Sequence, residues 1–174
     1  TSMNDAVFIS DNAGRFVEFN DAFATFHKFK SKDECARTLE EYPAFLEVYF
    51  TNGEPAPLEQ WAVTRALRGE TGTAVEYGLR RKDTGEAWTG SYSFAPIRDK
   101  AGAIVGSVVV SRDTTERKRV MEEIQRLNAD LERRVNERTA ELSDLYNNAP
   151  CGYHSLDSSG TFLHINDTEL NWLG

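Results

Sequence analysis

Few side chains in this sequence are of the types that perform chemistry. The three histidines, His27, His154 and His164, and the two cysteines, Cys35 and Cys151, are scattered along the chain. Two cysteines make neither a disulfide framework nor a metal set, as expected for a reducing compartment. No phosphate-cradling glycine loop, Ser-His-Asp arrangement or zinc spacing occurs, and no helical histidine precedes an acid as a phosphoacceptor would. His154 and His164 flank one turn. With Asp157 set against Gly160, His154 opposes Leu163 and the two imidazoles point to opposite faces, so a metal pair would need a shifted register. Asn166-Asp167-Thr168 matches a glycosylation sequon, incidental in a chain read as cytoplasmic. What does gather is aromatic. Period-2 alternation sets Trp88, Tyr92 and Phe94 on one strand face with Gly90 between the rings, a pattern that suits ordinary core packing. Val75, Tyr77 and Leu79 alternate against Arg80, which is read as solvated.

These residues must be positioned by a folded domain. At 174 residues the chain is long enough to bury a core, and 20 basic against 28 acidic residues give a formal charge of −8. That balance opposes non-specific nucleic-acid binding, which needs a basic footprint. The longest apolar run, Ala103 to Val110, is far too short to span a membrane. Thr1-Ser2 ahead of Met3 reads as an appended remnant rather than a leader. An internal repeat is plain: Asp11, Gly14, Phe16, Asn20 and Asp21 recur as Asp157, Gly160, Phe162, Asn166 and Asp167, offset by 146 throughout. Each copy reads as strand, Asp-x-x-Gly turn, strand, then an Asn-capped helix start. The first copy continues into a full domain; the second has too few residues for a core of its own. In the first, strands are expected over 7–10 and 16–20, a short helix over 21–29, mixed structure over 31–55 and a helix over 57–68. Three further strands, 73–82, 86–97 and 103–112, are separated by Asp83-Thr84-Gly85 and Asp99-Lys100-Ala101-Gly102.

Several stretches together resemble the PAS domain family: the Asp11…Gly14…Asn20-Asp21 opening, Arg65 to Glu70, Arg81-Lys82-Asp83-x-Gly85, Ala95-Pro96-Ile97-Arg98-Asp99, and Asp113-Thr114-Thr115-Glu116-Arg117-Lys118. The last usually has Ile where this chain has Thr114. The match covers about 5–118 and again 148–174. The resemblance implies an α+β fold, a five-stranded antiparallel sheet with helices on one face, cupping a small cavity. It places Phe8, Ser10, Phe23, Trp61, Tyr92, Phe94 and Ser111 around that cavity, with Trp88, Ser107 and Val109 on the same faces. Buried hydroxyls such as Ser10 and Ser111 need partners, which a ligand or water would supply. The cofactor is not identified. Haem is disfavoured, because no histidine stands in 57–68, where haem-binding members carry theirs. A flavin–cysteinyl adduct is disfavoured, because Glu34-Cys35-Ala36-Arg37 departs from the Asn-Cys-Arg motif.

Composition changes sharply over 113–147, where there is no Gly or Pro and 16 of 35 residues are charged. Asp113 with Glu116 is a capping-box pattern that starts a helix. Val120, Ile124, Leu127 and Leu131 are spaced 4-3-4, a two-helix coiled-coil seam, and the 4-residue step from Leu131 to Val135 is a stutter. The run through Glu137-Arg138-Thr139 resembles the signalling helices of bacterial two-component proteins. Three segments are therefore expected: a sensor domain over 1–112, a coiled-coil signalling helix over 113–147 and the opening of a second PAS domain over 148–174. The expected function is a non-catalytic sensory module that binds a small ligand. It would transmit through Asp113, Thr114, Thr115, Glu116, Leu131 and Val135 to a histidine kinase or cyclic-dinucleotide enzyme. The expected partner is a second copy, parallel through 120–145; the alternative is a ligand-free dimerisation spacer.

Overall fold

The computed structural model describes residues 5–174; Thr1 and Ser2, read above as a remnant, lie outside the described residues. The chain divides into two compact units, Thr1–Arg119 and Val120–Gly174.

The first unit opens with strands β1 (Ala6–Asp11) and β2 (Phe16–Phe19), joined by a turn in which Gly14 takes φ +75°. The Asp11 carboxylate accepts from the Ala13 and Arg15 amides and closes that turn. Asn20 then caps α1 (Asp21–Phe26), its Oδ1 accepting from the Phe23 amide. Strands β4 (Gly72–Arg81), β5 (Ala87–Arg98) and β6 (Ile104–Asp113) follow as a meander at the expected turns. β6 then pairs with β1, so the N-terminal hairpin extends the meander across its open side.

The sheet has six strands rather than the five expected, in the order β2-β1-β6-β5-β4-β3. The added strand, β3 (Leu46–Tyr49), pairs antiparallel with the end of β4. Its four residues alternate, Leu46 and Val48 buried and Glu47 and Tyr49 turned outward, where Glu47 binds Arg80. The helix expected over 57–68 is broken. A 3₁₀ turn, Leu58–Gln60, precedes α2 (Ala62–Leu67), and Trp61 between them is extended at ψ 153°. That break turns the indole back, so that its N–H donates to the Ala56 carbonyl at 2.9 Å. α1 packs on β1 and β6, and α2 on β5 and β6, both on one face of the sheet. Arg80 lies at the surface, as read.

Helix α3 (Thr115–Asn147) is continuous for 33 residues, about 50 Å at 1.5 Å per residue. It begins one residue later than the capping-box reading, in which Asp113 is the N-cap and Thr114 the first helical residue. Asp113 still belongs to β6, and its carboxylate accepts from the Thr115 amide at 3.0 Å instead of reaching the Glu116 amide. The strand pairing of Asp113 with Gly90 holds the backbone extended there, so the helix cannot open before Thr114.

In the second unit, β7 (His154–Leu156) and β8 (Phe162–Ile165) form a hairpin followed by α4 (Asp167–Leu173). His154 pairs with Ile165, not Leu163, because the register shifts between Ser155 and Leu156. The imidazoles still face opposite ways: His154 reaches Glu169, and His164 reaches Ser155. No group of three or more potential metal ligands occurs among the described residues.

Candidate ligand cavity and the root of the long helix

Between the sheet and its covering helices lies a cavity of about 40 Å³. Its wall combines Phe8, Phe16 and Phe23 with Tyr42, Trp61, Tyr77, Tyr92 and His27, completed by aliphatic side chains that include Leu46, Val48 and Leu79. The rings meet mostly edge to face, Phe8 to Phe23 at 4.8 Å and Tyr77 to Tyr92 at 5.4 Å, the arrangement their quadrupoles favour. The volume accommodates ~3 water molecules. Cofactor-sized ligands need several hundred Å³, so neither haem nor flavin fits it, and no cysteine lines it.

Of the seven residues placed at the cavity from sequence, Phe8, Phe23, Trp61 and Tyr92 line it; Ser10, Phe94 and Ser111 are buried but lie off it. Ser10 bonds Ser107, hydroxyl to hydroxyl at 2.7 Å, and so needs no ligand. The Phe94 ring is drawn over Gly72, where a Cβ would come within 2.4 Å of it, and under the Arg65 guanidinium at 5.0 Å. Ser111 is fully buried beside Tyr92 in the ladder, with no bond to its hydroxyl among the described residues. Trp88 is also off the cavity; Phe26 meets it edge-on and Lys28 lies over its ring at 5.2 Å.

Sequence reasoning missed His27, Tyr42 and Tyr77. Tyr77 was within reach, since it alternates with Leu79 along one strand; Tyr42 lies in an irregular stretch with no such period. His27 is 5% exposed. Its Nδ1 lies 3.0 Å from the Phe23 carbonyl oxygen, which can only accept, so Nδ1 carries the proton and Nε2 keeps a lone pair. Burial pushes its pKa down to about 4, with Arg81 adding to the shift. The ring is neutral near pH 7. Tyr42 and Tyr77 spend their hydroxyls on backbone carbonyls of Ala36 and Gln60. The Tyr92 hydroxyl and His27 Nε2 have no bonding partner among the described residues. Burial pushes the Tyr92 phenol up, so it stays protonated. The cavity therefore presents one hydroxyl and one imidazole acceptor in an otherwise aromatic and aliphatic wall.

The same short helix leads from the cavity to the root of α3. Lys28, next after His27, takes φ +60°, and its ammonium lies 3.0 Å from Asp113 Oδ2 and 3.6 Å from Glu86. The other Asp113 oxygen accepts from Thr115. Burial raises the Asp113 pKa, but the bonds from Thr115 and Lys28 outweigh it and hold the carboxyl below its ordinary value. Strand β5, which carries Tyr92, grips the same turn: the Thr114 amide donates to the Thr89 carbonyl, and the Thr89 amide donates to Thr115 Oγ1, both at 2.9 Å. Arg81 fixes the far side, donating to the His27 and Lys28 carbonyls while paired with Asp83.

The family described as PAS fold matches residues 1–119. No curated protein matches the chain. Among solved structures, the chain is similar to a sensory box histidine kinase/response regulator from Burkholderia thailandensis E264, at 18% identity over 75% of this chain and 92% of that one, with a TM-score of 0.49. It is similar to the PAS domain of a Colwellia psychrerythraea protein, at 18% identity over 66% and 89% of the two chains, TM-score 0.44. The PAS domain of nitrogen regulation protein NR(II) from Vibrio parahaemolyticus gives 16% identity over 64% and 91%, TM-score 0.45.

Proposed function

The chain belongs to the PAS fold family, and from that premise we propose that residues 1–112 are a non-catalytic sensory module. Its cavity takes a small, weakly polar ligand and passes the change through a dimeric helix to an output domain. The observation that carries this reading is the contact chain just described. His27 forms part of the cavity wall, Lys28 is its neighbour in sequence, and Lys28 ion-pairs with the residue that caps α3. A ligand that displaces the His27 ring or engages Tyr92 alters two of the groups that hold the first turn of that helix.

The outward path is α3. Val120, Ile124, Leu127, Leu131, Val135, Leu142 and Leu145 are all exposed along it, and an isolated helix with such a stripe is marginal in water. A second copy, parallel through 120–145, buries the stripe, and the Leu131–Val135 stutter is where the pair can rearrange. Asp113, Thr114, Thr115 and Glu116 form the input end of this path. The output, a histidine kinase or cyclic-dinucleotide enzyme, is proposed from the resemblance of the connector alone. Residues 148–174 are proposed as the opening of a second PAS domain.

One observation favours a second reading, a ligand-free dimerisation spacer: the protein's own rings already fill most of the space within the wall, leaving about 40 Å³. Native mass spectrometry of the purified chain separates the two. A dimer carrying extra mass supports sensing, an empty dimer supports the spacer, and a monomer removes the coiled-coil premise of both.

A further inference from the structure

The cavity wall carries no Asp, Glu, Lys or Arg among the described residues, and only two of its members hold polar atoms without partners, Tyr92 and His27. The other two phenols of the wall are spent on backbone carbonyls, and the Trp61 indole N–H on that of Ala56. Tyr92 is 7% and His27 5% exposed. Other partnerless polar atoms of the first unit, Thr64 Oγ1, Trp88 Nε1 and Ser111 Oγ, are sealed by packing. Tyr92 Oη and His27 Nε2 are not among them, so both face space that a water-sized molecule can reach.

The two atoms call for complementary partners. Because His27 Nδ1 donates to Phe23, Nε2 can only accept. Tyr92 keeps its phenolic proton and has nothing to donate it to. A single O–H group between them satisfies both, donating to Nε2 and accepting from Oη. Around them Phe8, Phe16, Phe23, Val48 and Leu79 offer carbon to an alkyl tail. An ionised ligand would be buried in this wall without a counter-charge, which is costly. The volume of about 40 Å³ admits about three non-hydrogen atoms. We infer that the cavity selects a neutral short-chain alcohol, of the size of ethanol, held through its hydroxyl by His27 and Tyr92; this rests on the sensory reading above and gives it a ligand class.

The two bonds come from the segments that hold the root of α3. His27 precedes Lys28, which pairs with Asp113, and Tyr92 shares β5 with Thr89, which binds Thr114 and Thr115. The alcohol hydroxyl ties the end of α1 to β5, and so joins both anchors of that turn.

The test is an NMR titration of the whole chain at pH 7 with ethanol. It is read on the His27 ring nitrogens and on intermolecular NOEs from the ethanol methyl to the Phe8, Phe23 and Leu79 side chains. Acetonitrile matches ethanol in size without an O–H, ethylammonium matches it with a charge, and tert-butanol keeps the hydroxyl with greater bulk. Ethanol alone should saturate, in the millimolar range that so few atoms can supply, with the larger shift at Nε2. Affinity should fall about fivefold or more in Tyr92→Phe, which keeps the ring. It should stay unchanged in Ser111→Ala, whose hydroxyl lies off the cavity. Equal saturation by acetonitrile, ethylammonium or tert-butanol, or an undiminished response in Tyr92→Phe, would overturn the alcohol class while leaving a cavity that takes a ligand. Saturation by none of the four would overturn the inference and favour the ligand-free spacer. Hydroxyl-dependent binding with unchanged hydrogen exchange at the Thr115–Lys118 amides would support the ligand class and overturn the sensory reading instead.

Discussion

His27 is the residue whose environment makes the sharpest prediction. A neutral imidazole with a folded pKa near 4 and an unfolded value near 6.5 means that, between those values, the unfolded chain binds a proton that the folded one refuses. Stability is therefore complete above about pH 6.5 and falls with acidification at about 1.4 kcal/mol per pH unit, ~3 kcal/mol in all by pH 4. Urea midpoints measured from pH 7.5 to 4.5 should show that slope in the native protein and a much flatter one in His27→Leu. Asp83, held at about 2 by its bond from Arg81, contributes stability that is lost only at more acid pH and does so in both proteins. Gly90 gives a second test. A Cβ there would lie 2.7 Å from Phe26 and 2.8 Å from Tyr92, both buried rings with little room to retreat. Gly90→Ala should cost about 1–3 kcal/mol by overpacking, read as a lower urea midpoint at unchanged slope.

Among the elements, α1 and α3 depend on few anchors. Lys28 and Thr89 together hold the turn at Asp113, and only the first is a side-chain ion pair. Lys28→Met should raise hydrogen exchange severalfold at the Thr115–Lys118 amides while the centre of β5 stays protected. Exchange unchanged at that first turn would show that Thr89 alone fixes it and would break the proposed link from the cavity. Further along α3, Arg134 pairs with Asp130 and Arg133 with Asp130 and Glu137, so the charged faces beside the apolar stripe are braced within the helix. The stutter can be removed by Arg134→Leu with Val135→Ala, which continues the 3-4 spacing beyond Leu131. Sedimentation equilibrium should then show at least tenfold tighter dimerisation. No change would argue that the exposed stripe is not a dimer seam.

For the whole molecule, the repeated asparagine is the natural probe of how far the two units are independent. Asn20 satisfies the Val7 and Phe23 amides and the Asp5 carbonyl, and Asn166 makes the matching set of bonds in the second unit. Loss of a cap that also ties down a neighbouring strand leaves buried backbone groups unpaired, at a cost of about 2 kcal/mol or more. Asn20→Ala should lower the melting temperature of the first unit by several degrees. Asn166→Ala should leave that transition in place and remove the dispersed signals of residues 150–174, since distant sites without shared partners add independently. If the melting temperature of the first unit falls in both, the units fold together.

What the sequence by itself determined was local in origin. The two hairpin turns of the meander, the Asp-x-x-Gly opening and the capping asparagine are set by backbone preferences within a few residues. Strands β4, β5 and β6 and the unbroken run of α3 follow from period and the absence of breakers. The repeat needed only register. The tertiary structure decided what depends on distant partners. Leu46–Tyr49 is too short to declare itself a strand until β4 offers its edge. Trp61 breaks its helix so that its indole can reach Ala56 and the cavity wall. Asp113 remains strand because Gly90 lies opposite, so its carboxylate caps one residue earlier than spacing alone implies. His27 carries no sequence signal of its place in the wall, because its neutrality and its free Nε2 are products of burial. The exclusion of Ser10, Phe94 and Ser111 from the cavity has the same cause. Alternation assigns a side chain to a face, whereas packing decides which side chains on that face meet one another and which are left facing empty space.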